Sequence, residues 1–310
     1  QDETNIIGGI SCLRNRIPAA VMSCRSMRPD GKTMLHIRNR PYLLRAYKAL
    51  LKDSRFNLII NSEAGARSYS DWIGIDKKRV SVIRNGYDFE SFKPSDSGAV
   101  STYLKENHVP EDALIVGSVF RFVPEKRVDL WIKVAREVIS GSEDVYFIAV
   151  GHGSGLEEAK SLVKRYGLEK RILFPGRTKD VPSWLAVFDA FLLTSRIEGL
   201  PNVLIEAQSA GVPVISTVAG GSPETFMDGI TGYLSASDDP DDLAKAVSLI
   251  LQDSKWRRHA ADESSDFVRE NFDVDIMSDN YAEAYLQLMD DAHKRWMESR
   301  TIMDRLLMRS

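Results

Sequence analysis

The sequence predicts an α/β protein made of two doubly wound domains, and three observations lead to this fold class. From about residue 111, short apolar runs rich in β-branched residues alternate with longer amphipathic segments. Apolar strands separated by helices are typical of a parallel sheet that helices cover on both faces. The first part of the chain repeats this pattern on a smaller scale. The length of 310 residues is enough for two domains of ordinary size.

The elements of the larger domain follow from the apolar runs and the turn residues between them. We predict its strands at 113–119, 145–150, 171–174, 190–194, 212–216 and 232–235. We predict its helices at 126–140, 154–166, 181–187, 201–210 and 223–227, and then three more at 239–252, 255–270 and 278–293. The carboxyl ends of parallel strands meet at one edge of the sheet, and open α/β sheets bind ligands there.

The smaller domain has fewer elements. We predict its strands at 18–23, 56–60 and 79–83, and its helices at 40–52 and 63–72. Three strands make a thin sheet, and the chain starts at Gln1 without a Met, so we expect this domain to be only partly present. Residues 84–98 combine turn residues, aromatic residues and a proline, which is typical of a linker.

The composition limits the classes of partner. A net charge of −3 gives no overall attraction to nucleic acid. No apolar run approaches the ~20 residues that a membrane-spanning helix needs. Cys12 and Cys24 lie outside metal-ligand spacings, so we interpret them as small core residues, with one disulfide as the alternative. Two scattered thiols fit a reducing compartment, and we predict a cytoplasmic protein.

The C-terminal tail, residues 294–310, is basic and places Trp296, Met303 and Leu307 on one helical face. One interpretation is a docked terminal helix. The other is a surface for lipid or for a partner protein, because basic amphipathic helices can lie on membranes. In that case the protein would contact the inner face of the membrane.

Two glutamates, Glu198 and Glu206, follow the strand at 190–194. Pro201 suits the first helical position and Gly211 the position after the last, so the next helix points its N-terminus into the crevice at the strand ends. A helix N-terminus binds anions such as phosphate. Carboxylates beside a phosphate make sense if they accept hydrogen bonds from hydroxyls, which predicts a sugar nucleotide. The alternative is that both glutamates are solvated surface residues.

Arg121 and Lys126 follow the strand at 113–119 and precede a helix. Cations at a helix N-terminus oppose the helix dipole, and an anion between them would relieve this. Arginine can bind a pyrophosphate through its forked donors and lysine through its point charge. Surface charge at a helix start is the alternative. We therefore predict a diphosphate site at this edge.

Three stretches together resemble the C-terminal domain of the GT-B retaining glycosyltransferases of family 4: SVFRFVPEKRV, ILFPGRTKDVPSWLAVFDAFLLTSRIEGLPNVLIEAQSAGVPVIST and GGSPETFMDGITGYL. Glu198 and Glu206 match the Glu-x7-Glu motif of that family, and Arg121 and Lys126 have the spacing of its paired cations. The early segment is similar to bacterial capsular polysaccharide glycosyltransferases of the Vi type.

The resemblance covers residues 80–290, and residues 1–79 look like the latter half of the family's amino-terminal domain. It implies a GT-B fold of two Rossmann-like domains, the first of them incomplete. The expected domains are a partial acceptor-side domain with the linker at 1–92, a donor-nucleotide domain at 93–277, and a helix at 278–310 that returns to the first domain.

The resemblance also implies roles for the candidate residues. Arg121 and Lys126 would bind the donor diphosphate and stabilise it as it leaves, and Glu198 would face the donor sugar. Glu206 would accept hydrogen bonds from the ribose hydroxyls, and Arg177 would lie near the nucleobase. The donor-binding segment would be Gly199, Leu200, Pro201, Asn202 and Val203, whose surrounding backbone amides would bind the same phosphates.

The predicted activity is a metal-independent hexosyl transfer, with retention, from a UDP-sugar to a hydroxyl of a bacterial surface or capsular polysaccharide. The acceptor is a glycan or a lipid-linked glycan, and no cofactor is expected. Asp273-x-Asp275 lies at a helix boundary, where we expect a capping role rather than a metal. The alternatives are an inactive nucleotide-sugar-binding subunit or regulator, and an NAD(P)-dependent oxidoreductase, which the glycine pattern disfavours.

Overall fold

The computed structural model describes residues 1–29, 41–95 and 98–307, with side chains as far as residue 298. The chain forms two compact units, each with its own parallel sheet. The first unit combines Gln1–Gly86 with the helix that begins at Val274, and the second is Tyr87–Asp273. The predicted domain boundaries at 92 and 277 lie a few residues downstream of these divisions. The predicted α/β class with parallel sheets is confirmed.

The first unit has a sheet in the order β1-β2-β3. Its strands are β1 (Ala20–Cys24), β2 (Phe56–Ile60) and β3 (Val80–Val82). The helices that precede or follow them are α1 (Asp2–Arg14), α2 (Pro41–Leu50) and α3 (Glu63–Ile73). Buried residues from all six elements, among them Met22, Tyr47 and Tyr69, form one apolar core.

Helix α1 was not predicted. Its sequence contains Gly8, Gly9 and several isoleucines, which are poor or moderate helix formers. Packing stabilises the helix instead, because Gly9 lies against Leu50 so closely that a Cβ atom would be 2.7 Å from a leucine methyl carbon. Tertiary contacts of this kind are not visible in a local pattern.

The second unit has a six-stranded parallel sheet in the order β6-β5-β4-β7-β8-β9. Its strands are β4 (Leu114–Val119), β5 (Val145–Val150), β6 (Ile172–Gly176), β7 (Ala190–Leu193), β8 (Val214–Thr217) and β9 (Gly232–Ser235). The strand order reverses between β4 and β7. In doubly wound sheets, a ligand crevice opens at this switch point, beyond the carboxyl ends of the strands.

Helices cover both faces of this sheet. They are α4 (Ala99–Glu106), α5 (Val128–Ser140), α6 (Leu156–Tyr166), α7 (Val181–Leu185), α8 (Asn202–Ser209), α9 (Pro240–Gln252) and α10 (Ser254–Phe272). Alternate residues of a strand enter opposite cores: in β5, Phe147 packs with the α5 and α9 side, whereas Ile148 packs with the α7 and α8 side. The near-continuous apolar strands of the sequence reflect this two-sided burial.

One prediction in this unit was wrong, and one helix was missed. Residues 223–227 form no α-helix; only a 3-10 turn occurs, at Ser222–Glu224. A turn before β9 includes Met227, where Thr231 donates its amide to the Met227 carbonyl and accepts from the Met227 amide through its hydroxyl. Helix α4 was not predicted, because it is short and buries a single residue, Val100.

The C-terminal helix, α11 (Val274–Leu307), is longer than the predicted 278–293. Arg295 on this helix donates a hydrogen bond to the carbonyl oxygen of Pro18 at 3.3 Å. Trp296 is 54% exposed, while the side chains of Met303 and Leu307 lie outside the described residues. Within the described ranges, no helix has the length and apolar character needed to cross a membrane. Contact of the tail with lipid or a partner stays a prediction.

Candidate active site

Hydrogen bonds join the loops that follow β4, β5 and β6. The amide of Phe120 donates to the carbonyl of Val150 at 3.0 Å, and the amide of Gly151 donates to that of Gly176 at 2.8 Å. The first two loops approach so closely that a Cβ atom at Gly151 would lie 1.9 Å from the Phe120 carbonyl oxygen. The glycines of the 150–155 stretch therefore allow the loops after β4 and β5 to pack closely against each other.

The loops after β4, β7 and β8 are joined in the same way. The amide of Arg196 donates to the carbonyl of Glu125 at 2.8 Å, and the amide of Gly221 donates to that of Gly199 at 3.1 Å. Five loops thus form one connected rim at the carboxyl edge of the sheet. The loops after β4 and β7, on the two sides of the switch point, carry the predicted catalytic residues.

Lys126 and Glu198 meet at this rim. The Lys126 Nζ atom lies 2.5 Å from Oε1 of Glu198, and the two side chains are only 16% and 13% exposed. The Thr194 hydroxyl donates to the Lys126 carbonyl at 3.0 Å, which ties the two loops together beside the pair. When one partner of a partly buried ion pair is removed, the other is left as an uncompensated charge. Each of the two side chains therefore neutralises the charge of the other.

Arg121 and Arg177 have a different setting. Arg121 follows β4, Arg177 follows β6, and both side chains are exposed. Within the part of the chain that the structure describes, neither side chain makes a hydrogen bond or an ion pair. Both guanidinium groups have free donors at the rim, but no direct contact joins them to Lys126 and Glu198.

The loop from Gly199 leads into α8. The helix begins at Asn202, with Pro201 at the N-cap rather than at the first helical position as predicted. Leu200 is buried in a small core with Phe89 and Ile205, so this side chain supports the loop. The first turn of a helix, here including Val203, presents N–H groups without partners inside the helix.

Glu206 lies on the second turn of α8. Its Oε1 accepts a hydrogen bond from the hydroxyl of Tyr87. Burial raises the pKa of the Glu206 carboxyl above its ordinary value, and the Tyr87 hydrogen bond offsets this in part. Tyr87 also hydrogen-bonds the side chain of Asn202, and burial raises the pKa of the Tyr87 phenol. The hydroxyl therefore remains protonated and donates to the carboxylate.

Two residues with a place in this arrangement were not predicted. Tyr87 was assigned to a linker, and no sequence signal connects it to Glu206. Arg127 bonds the end of β7 through its guanidinium. Its position directly after Lys126 is the one feature of the sequence that could have indicated a role at the site.

Asp273 and Asp275 lie at the junction of α10 and α11, where Asp273 is the C-cap residue of α10. Asp273 also bridges to Tyr87 in the backbone. Across the described ranges, no group of three or more metal-binding side chains occurs together.

The family follows from a comparison with known proteins. Residues 100–266, just over half of the chain, match the protein family described as Glycosyl transferases group 1. The chain belongs to this family. The matched range contains every predicted site residue from Arg121 to Glu206, and the resemblance inferred from the motifs is confirmed.

Among curated relatives of this chain, the Vi polysaccharide biosynthesis protein VipC/TviE of Salmonella typhi is 31% identical over 281 residues, which cover 89% of this chain and 48% of that protein. The N-acetyl-α-D-glucosaminyl L-malate synthase of Bacillus anthracis is 30% identical over 69% of this chain and 55% of that protein. The chain thus spans about half the length of these relatives.

Solved structures confirm the predicted GT-B fold of the chain. Anabaena HepE in complex with UDP and glucose superposes with a TM-score of 0.80 at 24% identity, over 92% of this chain and 76% of that one. Sucrose-phosphate synthase of Thermosynechococcus elongatus superposes with a TM-score of 0.75 at 21% identity, over 92% and 72%.

Proposed function

We propose that this chain moves a sugar from a UDP-sugar to a hydroxyl of a bacterial surface or capsular polysaccharide, with retention of the anomeric configuration. The observation that carries the proposal is the contact between Lys126 and Glu198 at the switch point, beside the N-terminus of α8. This arrangement puts a cation, a carboxylate and helix amides at one edge. A nucleotide sugar offers a matching diphosphate and hydroxyls.

The diphosphate binds to the positive part of the rim. Lys126 and Arg121 contact its oxygens, and the N–H groups of the segment from Gly199 to Val203, in which Pro201 has none, add hydrogen bonds near the helix N-terminus. HepE has been crystallised with UDP and with UDP-glucose, which supports a UDP-sugar as the donor here. The exposed Arg177 is the candidate for contact with the base.

The hydroxyls bind to the carboxylates. Glu206 accepts hydrogen bonds from the ribose, and Glu198 faces the transferred sugar. In the structure Glu198 neutralises Lys126. When phosphate oxygens take over Lys126, the Glu198 carboxylate becomes an acceptor for sugar hydroxyls, so one ion pair supplies both contacts.

In the reaction, the bond between the anomeric carbon and the diphosphate oxygen breaks. A new bond forms to the acceptor oxygen, and the proton of that hydroxyl leaves with the diphosphate. Negative charge grows on the diphosphate as the bond lengthens, and fixed cations and amides stabilise this charge most in the transition state. We propose that Arg121 and Lys126 provide this stabilisation without a metal, so that EDTA leaves transfer unchanged.

The same geometry fits a second function, a nucleotide-sugar-binding subunit or regulator without turnover. Two measurements separate the proposals. Isothermal titration with UDP-, GDP- and ADP-glucose tests binding and base preference. Release of UDP from UDP-glucose, with a capsular polysaccharide as acceptor, tests turnover, and NMR of the product tests retention. Binding without UDP release would favour the subunit, and absence of binding would contradict both. The cytoplasmic location stays a prediction.

A further inference from the structure

Arg127 has an unusual backbone conformation. It follows Lys126 directly, stands at the N-cap of α5 and has a φ of +49° in the left-handed region. Glycine is the residue that adopts this region without cost, whereas an arginine there is strained. A strained residue persists where its surroundings fix it. The sequence therefore retains an arginine side chain at a position whose backbone favours glycine.

All three guanidinium nitrogens of Arg127 have partners. Nε donates to the carbonyl of Thr194 at 2.6 Å, and Nη2 donates to that of Ser195 at 3.0 Å. Nη1 lies 2.6 Å from a carboxylate oxygen of Asp238. The arginine side chain is 10% exposed, while that of Asp238 is 67% exposed. The guanidinium lowers the pKa of the Asp238 carboxyl and keeps it ionised.

A second set of bonds runs in the opposite direction. The hydroxyl of Thr194 donates to the carbonyl of Lys126 at 3.0 Å and lies 3.3 Å from that of Arg127. The loop after β4 and the loop after β7 are thus joined through consecutive residues of each. One loop carries Lys126, and the other reaches Glu198 three residues after Ser195.

We propose that Arg127 is a positioning residue for the transfer reaction. It fixes the loop after β4 against the end of β7, so that the Lys126 ammonium stays at the distance from Glu198 at which it can receive the diphosphate. Asp238 balances the arginine charge, so Arg127 does not compete with Lys126 and Arg121 for the diphosphate. This inference rests on the proposed function, and Arg127 itself touches no substrate.

The test uses Arg127→Gly, which keeps the left-handed backbone and removes the side chain, and Arg127→Lys, which keeps the charge but loses the fork. Arg171 provides matched controls, because it also bonds backbone carbonyls, those of Val145 and Ser142. Arg171 precedes β6 and therefore lies at the opposite edge of the sheet. Thermal unfolding, the affinity for UDP-glucose and the rate of UDP release are measured for each variant of the full chain.

We expect Arg127→Gly and Arg171→Gly to lower the melting temperature to a similar extent. Only Arg127→Gly should also slow UDP release, by about 10²-fold, since small displacements of a catalytic group have effects of this size. Arg127→Lys should not restore the rate. If Arg127→Gly does not fold, Arg127→Lys and Asp238→Asn carry the same comparison. UDP release within twofold of the wild type in a folded Arg127 variant would overturn the inference.

A double-mutant cycle with Lys126→Ala separates this inference from the proposed function. Because Arg127 acts through Lys126, Arg127→Gly should have no further effect on UDP-glucose affinity once Lys126 is removed. Additive effects would overturn the inference while leaving the function intact. If Lys126→Ala alone leaves affinity and UDP release unchanged, the proposed function fails instead, and the inference with it.

Discussion

The hydroxyl of Tyr87 donates a hydrogen bond to the carboxylate of Glu206, across 119 positions of the sequence. The carboxylate is the one that the family resemblance assigns to the ribose of the donor. A carboxylate has about four acceptor sites, so the bond to Tyr87 leaves sites for hydroxyls of a ligand. Tyr87 therefore orients an acceptor that the substrate can share.

Replacing Tyr87 by phenylalanine should weaken the binding of UDP-glucose by about tenfold, because a hydrogen bond to a charged group contributes at least ~1.5 kcal/mol. Isothermal titration measures the affinity. Tyr103→Phe is the control, since that half-buried ring packs edge-on against Trp184. An unchanged affinity in Tyr87→Phe would show that Glu206 is oriented by other contacts.

The affinity for UDP-glucose should depend on pH through Glu206. Burial raises the pKa of its carboxyl, and the ionised form is the one that accepts hydroxyl hydrogen bonds. Binding then releases a proton, so affinity should rise with pH through the raised pKa and level off above it. Titrations from about pH 5 to about pH 8 cover this range. Glu206→Gln should bind weakly at every pH, and a wild-type affinity that falls with rising pH would refute this role.

Replacing Lys126 by alanine should slow UDP release by about 10² to 10³, the usual effect of removing one group that stabilises transition-state charge. The matched control is Lys133→Ala, which removes an exposed i,i+4 pair with Asp129 on α5. Exposed pairs of this kind contribute about 0.3–0.5 kcal/mol, so the control should keep its rate and its stability. Equal rates for the two variants would argue against a catalytic role for Lys126.

A methyl group at Gly151 should displace the loop that carries Arg121. The added Cβ atom would lie 1.9 Å from the Phe120 carbonyl oxygen, and such overpacking costs about 1–3 kcal/mol. Gly151→Ala should therefore lower the melting temperature by several degrees and also weaken UDP-glucose binding. Gly141→Ala is the control, because its nearest neighbour is at an ordinary 3.8 Å. A Gly151→Ala protein with native stability would mean that the two loops can move apart.

The strands of the larger unit could be predicted to within two residues, because buried parallel strands read as apolar runs bounded by turn residues. The placement of Lys126 and Glu198 at one edge of the sheet could be anticipated for a related reason, although their ion pair was not predicted. Each follows a strand, and the order of a doubly wound sheet brings such loops to one edge. Local pattern and overall topology agree at these positions.

The contacts of Tyr87 and Arg127 could not be predicted, because their partners are distant in sequence and no periodicity links them. Helix α1 was missed for a similar reason, since packing of Gly9 on Leu50 outweighs the low helix propensity of its glycines. At 223–227 the error was the opposite one, because a helix was predicted where none forms. The proline of this segment suggested a helix start, but only a 3-10 turn forms there, and the Met227 amide bonds the Thr231 hydroxyl rather than a preceding carbonyl.

The central claim is that the rim of the second unit binds a nucleotide sugar through Lys126, Glu198 and Glu206. A crystal structure of the chain with UDP-glucose tests it most directly. We expect the diphosphate within hydrogen-bonding distance of the Lys126 ammonium, and the ribose hydroxyls at the Glu206 carboxylate. A nucleotide bound away from the carboxyl ends of β4 and β7 would contradict the claim.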